Sequence, residues 1–171
     1  PAGGTSHNIM VQRSRNCRIE GITTYMAQAM NSAFVHNTGP ITVRGMRITF
    51  KPGTDHLVSA YRDGMHCKFN RGPLIVEHCA FEGMMDDSIN ISTMGQFAEA
   101  AFSPRSFALS DVFRPGDAVM AFDPGTGKAL AVTRVAQTDD FQQEFPRLCL
   151  FMHPPYRTGH GRTTLEIPLT I

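Results

Sequence analysis

Short alternations of apolar and polar residues, separated by glycine–proline corners, run through the first half of the chain. Asn37–Ile48 matches Asn70–Phe81 at an offset of 33 positions, and each copy is an Asn-x-Gly-Pro corner followed by an alternating stretch. An earlier copy, Asn16–Thr24, lies about 24 residues before Asn37–Ile48. Because alternate side chains of a strand share one face, the alternation predicts a short, half-buried strand in each copy.

The repetition of these units predicts the fold class. Short strands with a period in the twenties are typical of a solenoid of parallel strands, in which stacked coils share a core that one coil could not bury alone. An antiparallel sandwich, which also has short strands and frequent turns, is the alternative. The segment Phe50–His56 lengthens one coil and should loop out of one face. We expect Ile19, Val43 and Val76 to stack inside, and parallel strands at about 17–24, 33–36, 41–49, 64–68, 74–81 and 88–91.

The pattern changes after Ser92, where the periodicity ends. Ala118–Phe122, a turn at Asp123–Gly127 and Ala129–Val135 predict a β-hairpin, and strand-like runs follow at 147–151 and 163–167. The sequence therefore predicts parallel coils over residues 1–95, a connector over 96–110 and a small antiparallel β-barrel-like domain over 111–171. The chain starts without Met and stops in a strand-like run, so we expect it to be part of a longer protein whose barrel is truncated here.

Acidic residues recur in register within the repeat. Asp63-Gly-Met-His-Cys67 matches Asp87-Ser-Ile-Asn-Ile91 at an offset of 24, so Asp63 and Asp87 should stack on strands about 4.8 Å apart. With Asp86 beside Asp87, three carboxylates would share one surface. We place Asn31 in the Asp63 column, and the neighbouring column contains Phe34, His66 and Asn90.

Three carboxylates at one surface suit glycoside hydrolysis. In that reaction one acid protonates the leaving oxygen and a carboxylate on the opposite side activates water. Like-charge repulsion between close carboxyl groups favours one of them keeping its proton. The alternative is that Asp63-Gly64 and Asp86-Asp87 are ordinary turns, since Asp and Gly are common there. The register of the repeat leaves both interpretations open.

Composition excludes several classes of partner and site. The 16 basic and 15 acidic residues give a net charge of +1, which does not indicate nucleic acid or a charged membrane surface. No apolar run approaches the roughly 20 residues that a membrane span needs. The four cysteines form no Cys-x-x-Cys pair, which favours buried free thiols over a metal site or a disulfide framework. We expect no metal.

The motifs together resemble glycoside hydrolase family 110. The similarity covers roughly residues 8–135 and lies in Asp63-Gly-Met-His66, the Asn-Arg-Gly-Pro corner, Asp86-Asp87-Ser-Ile-Asn-Ile91 and the Arg114-Pro-Gly-Asp117 hairpin. The resemblance implies a right-handed parallel β-helix with a small β-barrel, and an inverting exo-α-1,3-galactosidase without metal or organic cofactor. It places the functional carboxylates on Asp63, Asp86 and Asp87. This chain departs from the family at Met85, where a histidine is usual, and at Ser92-Thr93, where a His-Gly pair is usual.

The resemblance also implies partners and a location. Galactose-terminated glycans would be the substrate, and a secreted or periplasmic location would follow, while the oligomeric state stays open. We assign His66, Asn90 and Arg62 to substrate binding; a buried structural histidine, an internal asparagine ladder and a solvated arginine are the alternatives. Other functions that the residues allow are a non-catalytic carbohydrate-binding β-helix and a related polysaccharide hydrolase or lyase. A lyase is least favoured, because Lys68 and Arg71 are the only basic residues between Asp63 and Ser92.

The three acids can be given distinct roles. In an extended strand Asp86 would point away from Asp87, so we predict that Asp86 is the general acid. Asp63 and Asp87 would then hold the attacking water on the opposite face. Inversion requires room for that water, so the acid and base carboxyl groups should be about 6.5–9.5 Å apart.

Overall fold

A computed structural model describes residues 7–93, 98, 100–110, 113–140 and 160–166. The chain divides into two compact units, Pro1–Met94 and Gly95–Ile171. The described residues form strands and turns but no α-helix, so the protein is all-β over this part. None of the described residues belongs to a helix that could span a membrane.

The described residues of the first unit form three parallel sheets. Each of three turns adds one strand to every sheet, and β10 (Ile89–Ser92) belongs to a fourth turn. The sheet orders are β1-β4-β7-β10, β2-β5-β8 and β3-β6-β9. The strands are β1 (Ile9–Gln12), β2 (Cys17–Glu20), β3 (Thr23–Thr24), β4 (Ser32–Val35), β5 (Ile41–Arg44), β6 (Arg47–Ile48), β7 (Met65–Lys68), β8 (Leu74–Glu77), β9 (Ala80–Phe81) and β10 (Ile89–Ser92). The parallel pairing excludes the antiparallel sandwich for this unit.

The register follows the predicted repeat in the second sheet. Ile19 pairs with Val43, and Val43 pairs with Val76, as the alternation predicted. Val43 is fully buried, and Ile19 and Val76 pack against the same cluster. The buried members of this core are Phe34, Ile41, Val43, Met46, Ile48, Met65 and Cys67. Burial raises the pKa of the Cys67 thiol to about 11, so it stays neutral at neutral pH and packs as a small hydrophobe.

The predicted columns around β4 are wrong by one residue. Phe34 pairs with Cys67, and Ala33 pairs with His66, so Phe34 does not belong to the column of His66. Asn31 correspondingly falls opposite Gly64 and leaves the Asp63 column. The physical reason is that a one-residue slip turns every side chain to the other face, and Phe34 is fully buried in the core.

Left-handed backbone conformations stack at two corners of the three turns whose corners the structure describes. Arg13, His36 and Phe69 have φ between 50° and 56° at one corner, and the His36 and Phe69 rings stack with centroids 5.0 Å apart. At the other corner Gly21, Gly45 and His78 have φ of 63°, 64° and 54°. The corners thus bend the chain by the same backbone device in each turn.

His78 and Gly45 offer a matched test of this corner. A side chain in the left-handed region is strained by roughly 1–2 kcal/mol, which glycine avoids. We expect His78→Gly to raise the free energy of unfolding by about 0.5–1 kcal/mol and Gly45→Ala to lower it by about 1 kcal/mol. Urea denaturation of both variants measures this. A loss of stability in His78→Gly would contradict the assigned corner geometry.

The turn of the chain that contains the insertion Phe50–His56 returns to register with the turns on either side of it. Thr49 lies over Glu82, residues 50–57 are exposed, and the Ser59 N–H then donates to the carbonyl of Gly83. Ala60 pairs in parallel with both Ala27 and Met84, on the turns to either side. The predicted insertion therefore lies outside the stack of strands.

A five-stranded antiparallel sheet makes up the described part of the second unit, in the order β11-β12-β15-β14-β13. Its strands are β11 (Ala100–Ser103), β12 (Ser106–Ser110), β13 (Ala118–Phe122), β14 (Ala129–Asp140) and β15 (His160–Leu165). The predicted hairpin is confirmed as β13 and β14. Phe107, Val135 and Leu165 are buried together on one face.

Two expectations for this unit need correction. β11 and β12 lie inside the predicted connector 96–110, because the burial of Phe107 and Ala108 stabilises a strand that shows no clear period. The described strands form an open sheet whose outer members, β11 and β13, do not pair with each other, so no closed barrel is found among them. The predicted strand at 147–151 lies outside the described residues.

Candidate active site

Two successive turns of the first unit place their acids in equivalent positions. Met65 pairs with Ile89, and two residues earlier Asp63 and Asp87 precede these strands. The Gly64 N–H donates to the carbonyl of Asp87 at 2.9 Å, which fixes the two backbones next to each other. The predicted offset of 24 is therefore the observed register of β7 and β10.

Gly64 allows this close approach. A Cβ built on Gly64 would lie 2.7 Å from the carbonyl oxygen of Ser88, a separation that real side chains do not adopt. Any larger residue at 64 would push the turn that carries Asp87 away from Asp63. From the sequence, this glycine was either the small residue of a repeated motif or part of a turn. Its packing role becomes visible only when the two turns of the chain are stacked.

The three predicted carboxylates converge. Asp63, Asp86 and Asp87 each offer one carboxylate oxygen, and these oxygens lie within 4.8 Å of one another. Asp63 is 3% exposed, whereas Asp86 and Asp87 are exposed to solvent. The cluster therefore joins a buried acid to two acids that a ligand from solvent can reach.

Asp86 does not point away from the other two acids. Residues 85 and 86 form a bend instead of an extended strand, and the Asp86 Oδ1 accepts the N–H of Asp87 at 3.1 Å. The expectation of opposite faces assumed an extended backbone, which the bend removes. The role of Asp86 as the acid stays a prediction.

His66 and Asn90 both contact a carboxylate. The Nδ1 of His66 is hydrogen-bonded to the Oδ2 of Asp63, and both side chains are buried. One turn further on, the Nδ2 of Asn90 donates to the Oδ2 of Asp87 at 2.9 Å. Each bond joins an aspartate to the residue three positions later. The Asn90 Oδ1 is buried and has no hydrogen-bond partner among the described residues.

These hydrogen bonds oppose the repulsion between the acids. Two unit charges 4.8 Å apart repel by about 1 kcal/mol in water and about 3.5 kcal/mol at an effective dielectric constant of 20. A hydrogen bond to a charged group contributes roughly 1.5–3 kcal/mol. One such bond to each of Asp63 and Asp87 is therefore comparable in size to the repulsion between those two carboxylates.

The remaining predicted site residue, Arg62, is exposed. Its position is equivalent to that of Asp86 on the next turn, because Ala60 pairs with Met84. None of the ion pairs formed by the described residues involves Arg62. An internal asparagine ladder does exist, but at the corner, where the Nδ2 of Asn37 donates to the Oδ1 of Asn70 at 2.9 Å.

Two large exposed side chains beside the acids were given no role in the site by the sequence analysis. Tyr61 is 54% exposed and lies two positions before Asp63, and Met85 is 64% exposed and precedes Asp86. The register makes Tyr61 and Met85 neighbours on successive turns. Their exposure was the missing signal, since an apolar residue in a repeat is ordinarily interpreted as core.

The chemistry of such a cluster is limited to a few possibilities. Three carboxylate oxygens at this spacing can accept hydrogen bonds from one shared water or from sugar hydroxyls. They could also ligate a hard cation such as Ca²⁺, which prefers carboxylate oxygens. Asp63, Asp86 and Asp87 are thus the described residues that would hold either a substrate or a metal here.

The comparisons with known proteins bear on this choice. Over 82 residues the chain is 29% identical to Alpha-1,3-galactosidase B of Akkermansia muciniphila. The match covers 48% of this chain and 10% of the relative, so this chain spans about a tenth of that protein's length. No family model matches the chain. The similarity therefore links part of this chain to a galactosidase without defining a glycoside hydrolase family.

Proposed function

We propose that this chain is part of an inverting glycoside hydrolase that removes terminal α-1,3-linked galactose, and that its first unit is a right-handed parallel β-helix of the kind seen in glycoside hydrolase family 110. The observation that carries the proposal is the convergence of three carboxylates within 4.8 Å on successive turns. The similarity to an α-1,3-galactosidase supports the choice of sugar. The proposed substrate is a galactose-terminated glycan, and no cofactor takes part.

The water would lie between Asp63 and Asp87. A water that donates one hydrogen bond of about 2.8–3.0 Å to each of two carboxylates joins oxygens roughly 4.4–4.8 Å apart, so a separation within 4.8 Å suits a single bridging water. One carboxylate then takes the proton as the water attacks the anomeric carbon. Asp63 is buried and fixed by His66, so it would orient the water, while exposed Asp87 faces the sugar.

Asp86 would protonate the leaving oxygen. Inversion needs the acid and base carboxyl groups about 6.5–9.5 Å apart, which is wider than the present spacing of the nearest oxygens. Asp86 is exposed, and among the described residues its carboxylate is hydrogen-bonded to the adjacent N–H, so its side chain can turn outward when the sugar enters. The proposal thus includes a rotation of Asp86 on substrate binding.

The stereochemistry of the first product tests this function. The full-length protein that contains this chain is mixed with an α-1,3-linked digalactoside, and the anomer of released galactose is followed by ¹H NMR before mutarotation. We expect the β-anomer to appear first, and EDTA to leave the rate unchanged.

Three outcomes would contradict the proposal. The α-anomer appearing first would make one of the acids a nucleophile. A chelator-sensitive rate would assign the cluster to a cation. Binding of the digalactoside without release of galactose would favour a non-catalytic carbohydrate-binding protein.

A further inference from the structure

Two acids and their hydrogen-bond partners repeat as a unit in this structure. Asp63 and His66 on one turn lie in register with Asp87 and Asn90 on the next, since His66 pairs with Asn90. In both cases the partner contacts the Oδ2 of the aspartate three residues earlier. The residue type changes between the turns, but the bond does not.

The atoms that make the two bonds occupy the same place in their side chains. Nδ1 of histidine and Nδ2 of asparagine are both attached to Cγ, so each lies two bonds from Cβ. With equivalent backbones, the two nitrogens therefore reach the same point in space relative to their strands. A histidine can make the hydrogen bond that asparagine makes here only through Nδ1, and Nδ1 is the nitrogen that contacts Asp63.

We propose that His66 and Asn90 are positioning residues that fix Asp63 and Asp87, and do not act mainly by binding substrate. Each holds the Oδ2 of its aspartate, so the carboxylate plane is set and the other oxygen is available to the shared water. The assignment rests on the proposed function, because it presumes that the orientation of the two carboxylates limits the reaction. It also requires that the Nδ1 of His66 carries a proton, which it donates to Asp63.

The register supplies the conservative variant that tests this. His66→Asn places in the first turn the residue that performs the task in the second, and His66→Leu removes the donor while retaining bulk. In the full-length protein we expect His66→Leu to lower kcat on an α-1,3-digalactoside by about 10- to 100-fold with KM changed less than about 3-fold, because misplacing a catalytic group by about 1 Å has an effect of that order. His66→Asn should restore kcat to within several-fold of the wild type.

The second turn gives the reciprocal pair. Asn90→Leu should lower kcat in the same way, and Asn90→His should recover most of it. His78→Asn, at an exposed corner with a left-handed φ that asparagine tolerates, is the control for the loss of a histidine. A recovery in neither reciprocal variant, or losses that fall on KM, would overturn the positioning role in favour of substrate binding or packing.

A spectroscopic readout keeps the inference separate from the function. In long-range ¹H–¹⁵N NMR spectra of the wild type, His66 should be protonated at Nδ1, and Asp63→Leu should abolish that preference. Protonation at Nε2 alone in the wild type would overturn the inference whatever the activity. Failure of the wild type to cleave any α-galactoside would instead refute the proposed function, while the tautomer would still decide whether His66 fixes Asp63.

Discussion

Replacing Asp86 with asparagine should abolish most release of galactose from substrates whose leaving group is a sugar. A sugar is a poor leaving group and depends on protonation of its oxygen, so the loss in kcat should reach about 10²–10⁴-fold. Aryl α-galactosides with acidic phenol leaving groups need little protonation, and their hydrolysis should fall far less. Steady-state kinetics of the full-length protein on both substrate types measures the difference.

The comparison between substrates separates an acid from the other roles of a carboxylate. Equal losses on sugar and aryl substrates would show that Asp86 does not protonate the leaving group. Arg62→Gln is a useful control, since Arg62 occupies the equivalent exposed position one turn away and belongs to no ion pair of the described residues. A change there should not depend on the leaving group.

Asp63→Asn and Asp87→Asn should each be severe, and the double variant should be little worse than either. Both carboxylates are needed to hold one water, so removing one already loses the arrangement. We expect single losses in kcat of about 10²–10⁴-fold, the range for removal of a general base. A double-mutant cycle on kcat/KM measures the coupling between the two acids.

If Asp63 and Asp87 acted independently, the double-mutant cycle would give a different result. If the fold losses in kcat/KM of the two single variants multiplied in the double variant, Asp63 and Asp87 would serve separate steps. The assignment of one shared water to both acids would then be wrong. Because Asp63 is buried, its variant also needs a melting curve, so that a loss of folding is not counted as a loss of catalysis.

Much of the first unit could be predicted from the sequence, because the alternation of apolar and polar residues follows which side chains are buried. The corners with Asn-x-Gly-Pro and the alternation after them fix where the strands of the second sheet begin, and Ile19, Val43 and Val76 stack as expected. The acids could be aligned because β7 and β10 are separated by an unlengthened turn. The local sequence pattern was therefore sufficient to predict the strand register wherever the repeat had a regular period.

The errors have physical causes. At β4 the likeness between Asn31 and Asp63 was used to align the turns, although burial of Phe34 determines the register. The bend at residues 85–86 could not be inferred from a sequence that is compatible with an extended strand, so the predicted direction of the Asp86 side chain was wrong. The bonds of His66 and Asn90 to the acids depend on the backbone between them, which residue types alone do not specify.

The lengthened turn has a consequence for how such a site can diversify. Residues 50–57 leave the stack and the chain re-enters register at Ser59, only a few residues before Tyr61 and Asp63. Changes in the length or composition of that loop would fall outside the parallel sheets, whose register places the acids on neighbouring turns. Evolution or engineering can therefore change this loop without changing the register that brings the three acids together.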